Sequence, residues 1–233
     1  ISLSMTGTYP GVIPAAGRSH RMGRAKALLD AEGQSFLARI LASLRAGGAG
    51  PLLVVVRDSG DPIADEARRH GGGIVVNPDP TRGPISSLQA GIRALSGEAE
   101  ALLFAPVDHP LFSPSTVEAL IEGFREHAAP VVVPAFEGWR GHPVLFGRRL
   151  FPELLEEDLP EGARTVLRRY LDERLQLAVD DQGILADIDT PEPADEQASA
   201  AEAAPGTTAA DAADAEPDAD EEPASTADEE ADE

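Results

Sequence analysis

The sequence predicts an α/β fold, a mostly parallel sheet with helices on both faces, followed by an acidic tail. Three observations predict it. Short apolar runs alternate with amphipathic ones from residue 11 to 190, the order that builds successive strand, helix, strand units. One of these runs, PLLVVVRD (51–58), is apolar on both faces, as a central parallel strand covered from two sides must be. From 191 to 233 the composition then changes to Ala, Glu, Asp, Pro, Ser and Thr, with sixteen acids and no Lys or Arg.

Residues 1–10 read as a flexible N-terminus and GVIPAA (11–16) as the first strand. SFLARILASLRAG sets Phe36, Leu37, Ile40, Leu41 and Leu44 on one helical face, the spacing of a helix laid on a sheet. DPIADEARRHGG opens on a capping Asp61 with Pro62 behind it and closes in glycines, after which GIVVN is a third strand. PISSLQAGIRAL predicts a helix, ALLFAPVD (101–108) a strand ending on an acid, and SPSTVEALIEGFREH a helix capped by Ser113. PVVVPAF is a fifth strand, and GWRGHPVLFG a turn followed by a strand. RLFPELLEE and ARTVLRRYLDE predict helices, and LQLAVDD and ADIDT closing strands. The expected organisation is one domain over 11–190 and a tail over 191–233.

Of the formal charge of −22, sixteen negatives lie in that tail, so the body carries −22 minus −16, or −6. The tail has no large aliphatic or aromatic residue with which to offset the entropy of ordering, which predicts disorder. It can keep the chain soluble or present a polyanion to a basic partner. The chain has no cysteine, which excludes disulfides, thiolate zinc sites and a cysteine nucleophile and fits a reducing cytoplasm. No stretch reaches membrane-spanning length, so no membrane association is expected. The acidity and the lack of a basic aromatic surface argue against nucleic acid. His20, His70, His109, His127 and His142 have no close metal-binding spacing.

In open α/β sheets, ligands bind outside the carboxyl ends of the strands. AAGRSHRMGRAKALL (15–29), after the first strand, joins the small residues Ala15, Ala16 and Gly17 to Arg18, Arg21, Arg24 and Lys26 with no acid among them. Exposed amides and cations suit a polyanion, above all a triphosphate. It is not a Walker loop, because Arg24 follows Gly23, and G-x-G-x-x-G is absent. Lys26 is the only lysine beside eighteen arginines, a candidate for work that needs a compact, flexible ammonium. In NPDPTRGPISSLQAG (77–91), Gly83, Ser86 and Ser87 lie at a helix start, where hydroxyls and N–H groups bind a base edge or phosphate, or satisfy the helix end. Asp108, closing APVD, suits Mg²⁺ beside a triphosphate, or a turn cap. Asp187 and Asp189 alternate around Ile188, so only one faces a given side. GWRGHP joins Arg140, Gly141 and His142 in a compact turn, either a subsite for a second phosphorylated substrate or a hairpin whose Trp139 covers core.

AAGRSHRMGRAKALL, GPISSLQAGI, PVDHP, GWRGHPVLF, EGAR and DIDTPE, in that order, resemble the molybdenum cofactor cytidylyltransferase group of the MobA-like nucleotidyltransferases over 11–192. The resemblance implies a Rossmann-like fold of nucleotidyltransferase type and a Mg²⁺-NTP. It assigns Gly17, Arg21 and Lys26 to the triphosphate, with Arg21 and Lys26 acting in catalysis. It assigns Gly83 with Ser86 or Ser87 to the base, and Asp108 with Asp189 to the metal. The implied acceptor is molybdopterin bearing molybdenum, its terminal phosphate near His109 and the Arg140, Gly141, His142 turn, and a molybdoenzyme is an implied partner. The chain departs from the pattern at Pro14, at Pro84 and in PVDHP, where the branch has Gln for His109. Ala25 stands where the guanylyl branch has Asp before the lysine, which ranks CTP above GTP. A sugar 1-phosphate acceptor, and a non-catalytic carrier of nucleotide or cofactor, are the alternatives.

Overall fold

In a computed structural model of the chain, the described residues are 8–17, 25–31, 33–95 and 97–188. The tail expected from 191 onward lies outside them. The strands are β1 (Gly11–Pro14), β2 (Asp30–Ala31), β3 (Gln34–Ser35), β4 (Leu52–Val56), β5 (Gly73–Val76), β6 (Ala101–Phe104), β7 (Val131–Phe136), β8 (Trp139–Arg140), β9 (Val144–Gly147) and β10 (Leu175–Ala178). The helices are α1 (Phe36–Ala46), α2 (Pro62–Arg69), α3 (Pro84–Ala94), α4 (Pro114–His127), α5 (Phe151–Leu154) and α6 (Ala163–Arg169). Eight strands form one sheet in the order β10-β7-β9-β6-β1-β4-β5, with β8 on the end of β7, and β2 and β3 pair separately.

Strands β1, β4, β5 and β6 are parallel, as are β7 and β10. Only β9, which is antiparallel to both β6 and β7, and the short β8 break the pattern. Side chains alternate across the pleat. Ile13, Val54, Val56 and Leu103 meet α1, α2 and α4 on one face, with Leu37, Ile40, Leu41, Ile63 and Leu120. Val12, Val55, Leu102 and Phe104 meet α3, α5 and α6 on the other, with Ile85, Leu88, Leu154 and Val166. Each fully buried Leu, Ile, Val or Phe contributes about 1.5–3 kcal/mol relative to exposure, so the two cores hold the sheet rigid between them. Helix α3 rides so closely on β1 that a methyl group at Gly91 would lie 2.5 Å from Val12 Cγ1.

The expected helices carry their expected caps. Asp61 accepts from Ile63 N (2.8 Å) and Ser113 from Thr116 N (3.3 Å). Sequence alone did not indicate Asp181 as a second partner of α4. Its Oδ2 accepts from Ser113 N (2.7 Å) and Thr116 Oγ1 (2.6 Å), while Oδ1 accepts from Gly183 N (3.0 Å). The carboxylate thus ties the start of α4 to the 3-10 turn Gln182–Leu185.

Three expectations are corrected. ALLFAPVD is a strand only to Phe104, so Asp108 lies four residues past the strand end, in a turn closed by His109 N on Pro106 O (3.1 Å). ADIDT does not form a strand in its described part, because Ala186 closes the 3-10 turn on Gly183 O and Ile188 bonds to a loop. Trp139 is 47% exposed rather than covering core. Among the described residues no helix is long and apolar enough to cross a membrane.

Replacing Asp181 by Ala removes charge-assisted bonds to two backbone N–H groups and a buried hydroxyl. The expected loss is about 1.5–3 kcal/mol, measured as a lowered urea midpoint with an unchanged slope.

Candidate functional site

The parallel strands all end on one edge of the sheet, and every segment singled out in the sequence emerges there. At the end of β1, Ala15 donates its N–H to Val55 O (2.8 Å), which continues the ladder one residue past Pro14. Ala15 and Ala16 are buried and Gly17 is exposed; a methyl group at Gly17 would meet nothing within 4 Å. Arg57 Nη2 donates to Ala16 O (3.1 Å) and fixes the chain just before the turn. Residues 18–24, with Arg18 and Arg21, lie outside the described residues. Lys26 begins a 3-10 turn, Lys26–Leu28, anchored by buried Ala27 and by Leu29 N on Lys26 O (3.0 Å). Phe36 N then bonds Leu29 O (2.9 Å), so the backbone that carries Lys26 is pinned to the start of α1.

The loop after β5 is organised by Asn77, which was not among the residues singled out from sequence. Asn77 is buried, and its Nδ2 donates to Ser86 Oγ (2.8 Å) and Ser87 Oγ (3.1 Å) while its Oδ1 accepts from Asp79 N (3.0 Å). Ser86 Oγ donates in turn to Gly83 O (2.8 Å). The two serines therefore point inward and shape the loop. Their hydroxyls are engaged by Asn77, and that of Ser86 also by the Gly83 carbonyl; neither caps an N–H at the start of α3. Gly83 has φ +79° and ψ −169°, a conformation essentially restricted to glycine. Space for a methyl is open there, so the backbone conformation itself is what demands glycine. The available signal for Asn77 was an apolar strand ending in an amide, GIVVN.

The third and fourth segments meet. Ile188 N donates to Asp108 O (3.0 Å), and Ile188 is buried with Phe36. Asp187 is exposed, and Asp189 lies just outside the described residues. His142 N donates to Ile184 O (3.0 Å) and Gly141 N to Pro134 O (3.1 Å). A methyl at Gly141 would lie 2.2 Å from Ile184 O, so only glycine lets the turn seat against residues 182–185. The His142 ring lies 4.6 Å from the ring of His109 and 6.3 Å, edge-on, from Phe104.

Burial holds the His142 imidazole well below its usual pKa. The neighbouring His109 and the charge of Arg164 push the same way, against a hydrogen bond to the Phe104 backbone. His142 is neutral at pH 7. Arg164 is thereby a further charge at this site, carried by the EGAR stretch at the start of α6. Gly162, with φ +62°, packs 3.5 Å from Ile85 of α3. Asp108 Oδ1 and His142 Nδ1 are both buried with no hydrogen-bond partner. A buried carboxylate oxygen in that condition is costly unless a ligand completes it, so Asp108 fits a divalent cation. Among the described residues no three metal-binding side chains already converge, so further ligands would come from a bound substrate and water.

Gly141→Ala is expected to lower stability by about 1–3 kcal/mol through overpacking, read from the urea midpoint.

A MobA-like NTP transferase domain matches residues 11–175. A molybdenum cofactor guanylyltransferase of Rhizobium meliloti is 34% identical over 157 residues, covering 64% of this chain and 66% of that protein. The purine catabolism protein PucB of Bacillus subtilis is 30% identical over 191 residues, covering 78% of this chain and 92% of that one. The chain spans 53% and 66% of the guanylyltransferases of Xanthomonas euvesicatoria and Rhizobium meliloti. The crystal structure of Rv0371c from Mycobacterium tuberculosis superposes with a TM-score of 0.69 at 28% identity, covering 83% of this chain and 98% of that one. The same protein in complex with manganese gives 0.64 at 25%, covering 82% and 98%.

Proposed function

The chain belongs to the MobA-like NTP transferase family, and on that premise we propose that it transfers the cytidylyl group of CTP to the terminal phosphate of molybdopterin, releasing pyrophosphate. One observation carries the reading. The Gly17 turn with Lys26, the Asn77–Gly83 loop and the Asp108–Ile188 contact all emerge at the carboxyl edge of one rigid sheet, each with a different polar chemistry.

The triphosphate lies along Ala16, Gly17 and Lys26, and Arg18 and Arg21, outside the described residues, are the further cations that the sequence offers it. The base lies against the backbone of Gly83, whose conformation is held by Asn77, Ser86 and Ser87. The acceptor phosphate approaches from the side of His109, Arg140 and His142. An oxygen of that phosphate bonds to the α-phosphorus in line as the bond to the bridging oxygen of pyrophosphate breaks. A phosphate monoester is already nucleophilic near neutral pH, so positioning and charge neutralisation supply the catalysis. Lys26, a point charge on a flexible stem, follows the α-phosphate and the departing pyrophosphate. Asp108, with Asp189 beyond it, would hold the divalent cation, Mg²⁺ in the reading from sequence, which when bound neutralises phosphate charge.

GTP is the second reading, favoured by relatives named as guanylyltransferases. The residue before Lys26 is Ala25, and the RGHP and DIDTPE stretches support CTP. Pyrophosphate release decides, with CTP, GTP, ATP and UTP compared in the presence and absence of molybdenum-loaded molybdopterin. Release that requires CTP and the acceptor together is expected. Release with GTP alone of the four gives the second reading, and silence with all four rejects both. In the same assay Lys26→Ala should lower kcat by about 10²–10³-fold at unchanged Tm, and Lys26→Arg should restore little of it.

A further inference from the structure

We propose that Ile188 is a positioning residue for the transfer, the pin of a small apolar latch that fixes the turn carrying Lys26 against the turn carrying Asp108. The inference rests on the roles of Lys26 and Asp108 in the proposed function and goes beyond them in naming what sets one against the other.

The latch stands apart from the two cores that grip the sheet. Its buried members are Phe36 and Ile188, 0% and 3% exposed, and Leu29 and Leu111 pack against that pair. Leu29 lies three residues after Lys26, and Leu111 three after Asp108. Phe36 opens α1, and Ile188 belongs to the closing segment of the described chain. Four separate stretches of sequence are thus joined by apolar contact at the edge where the site lies.

Backbone bonds tie these members to the two turns. Leu29 N donates to Lys26 O (3.0 Å) and Phe36 N to Leu29 O (2.9 Å), which binds the Lys26 turn to α1. Ile188 N donates to Asp108 O (3.0 Å). Gly183 seats the closing segment on the same turn from the other side, since a methyl group there would lie 2.1 Å from Leu111 O. The Ile188 side chain then presses the closing segment, and Asp108 with it, onto Phe36 and Leu29. Truncating it leaves a void that the latch can close only by shifting. A shift of about 1 Å between reacting groups costs up to about 10²-fold in rate. Both main cores keep all their side chains, so the fold itself stands.

The test compares Ile188→Ala with Ile121→Ala in the full chain. Ile121 is equally well buried, at 4%, but it lies beside Gly48, between the end of α1 and the start of β4, away from the latch. Without nucleotide, amide hydrogen exchange at residues 29, 36 and 188 is expected to quicken together by at least about tenfold in Ile188→Ala, with the amides of β4 unchanged. Ile121→Ala should leave those three amides as they are. In pyrophosphate release, with the nucleotide that the unaltered chain uses, Ile188→Ala should lower kcat by about 10–10²-fold while the nucleotide KM stays within about threefold. Ile188→Val, one methylene smaller, should keep kcat within about threefold, and Ile121→Ala should lower Tm yet keep kcat. Unchanged exchange at the three amides, an unaltered kcat, a rise in KM alone, or an equal loss of kcat in Ile121→Ala would overturn the inference. Silence of the unaltered chain with all four nucleotides would reject the proposed reaction while hydrogen exchange still decides the latch, so the two failures are distinguishable.

Discussion

The close seating of Gly141 against the Ile184 carbonyl governs how the far end of the chain reaches the site. With no Cβ at 141, the turn between β8 and β9 can lie on residues 182–185, and His142 N can bond Ile184 O. That contact holds the chain so that Ile188 arrives at Asp108. Asp181 fixes the same segment from its other end by capping α4. Residues more than seventy positions apart are thus assembled by backbone contacts, before any ionisable group is counted.

The division of polar groups follows the same logic. Some buried polar atoms are spent on structure: Asn77 holds Ser86 and Ser87, and Gln89 Nε2 bonds Leu154 O and Glu156 O. At the edge, Asp108 Oδ1 and His142 Nδ1 are buried and have no hydrogen-bond partner. Buried groups left so beside a candidate phosphate site suit a ligand there. The rigid sheet between two apolar cores is what keeps those unsatisfied groups from collapsing onto alternative partners.

The α/β class, the order of the helices and the caps at Asp61 and Ser113 were legible, because periodicity and N-capping are local signals. So was the convergence of the Gly17, Gly83 and Asp108 segments, since parallel strands deliver their loops to one edge. What local pattern did not reveal depends on distant partners. VLFG reads as a strand, but its antiparallel place between β6 and β7 is set by both neighbours. Asp108 looked like a strand end because AlaProVal continues the apolar run, yet hydrogen bonding stops at Phe104. Asn77 and Asp181 resemble ordinary turn residues until the serines and the α4 N-terminus they serve are brought beside them. Arg164 lay within a quoted motif without an assigned role, which only its closeness to His142 supplied.

The central claim is that the three loops form one nucleotide site, and a crystal structure of the protein with a non-hydrolysable CTP analogue tests it most directly. The account predicts the triphosphate against Gly17 and Lys26, the base along the Asn77–Gly83 loop and the α-phosphate facing Asp108. A nucleotide bound with its triphosphate away from Lys26, or with its base in the Arg140–His142 turn, would contradict it.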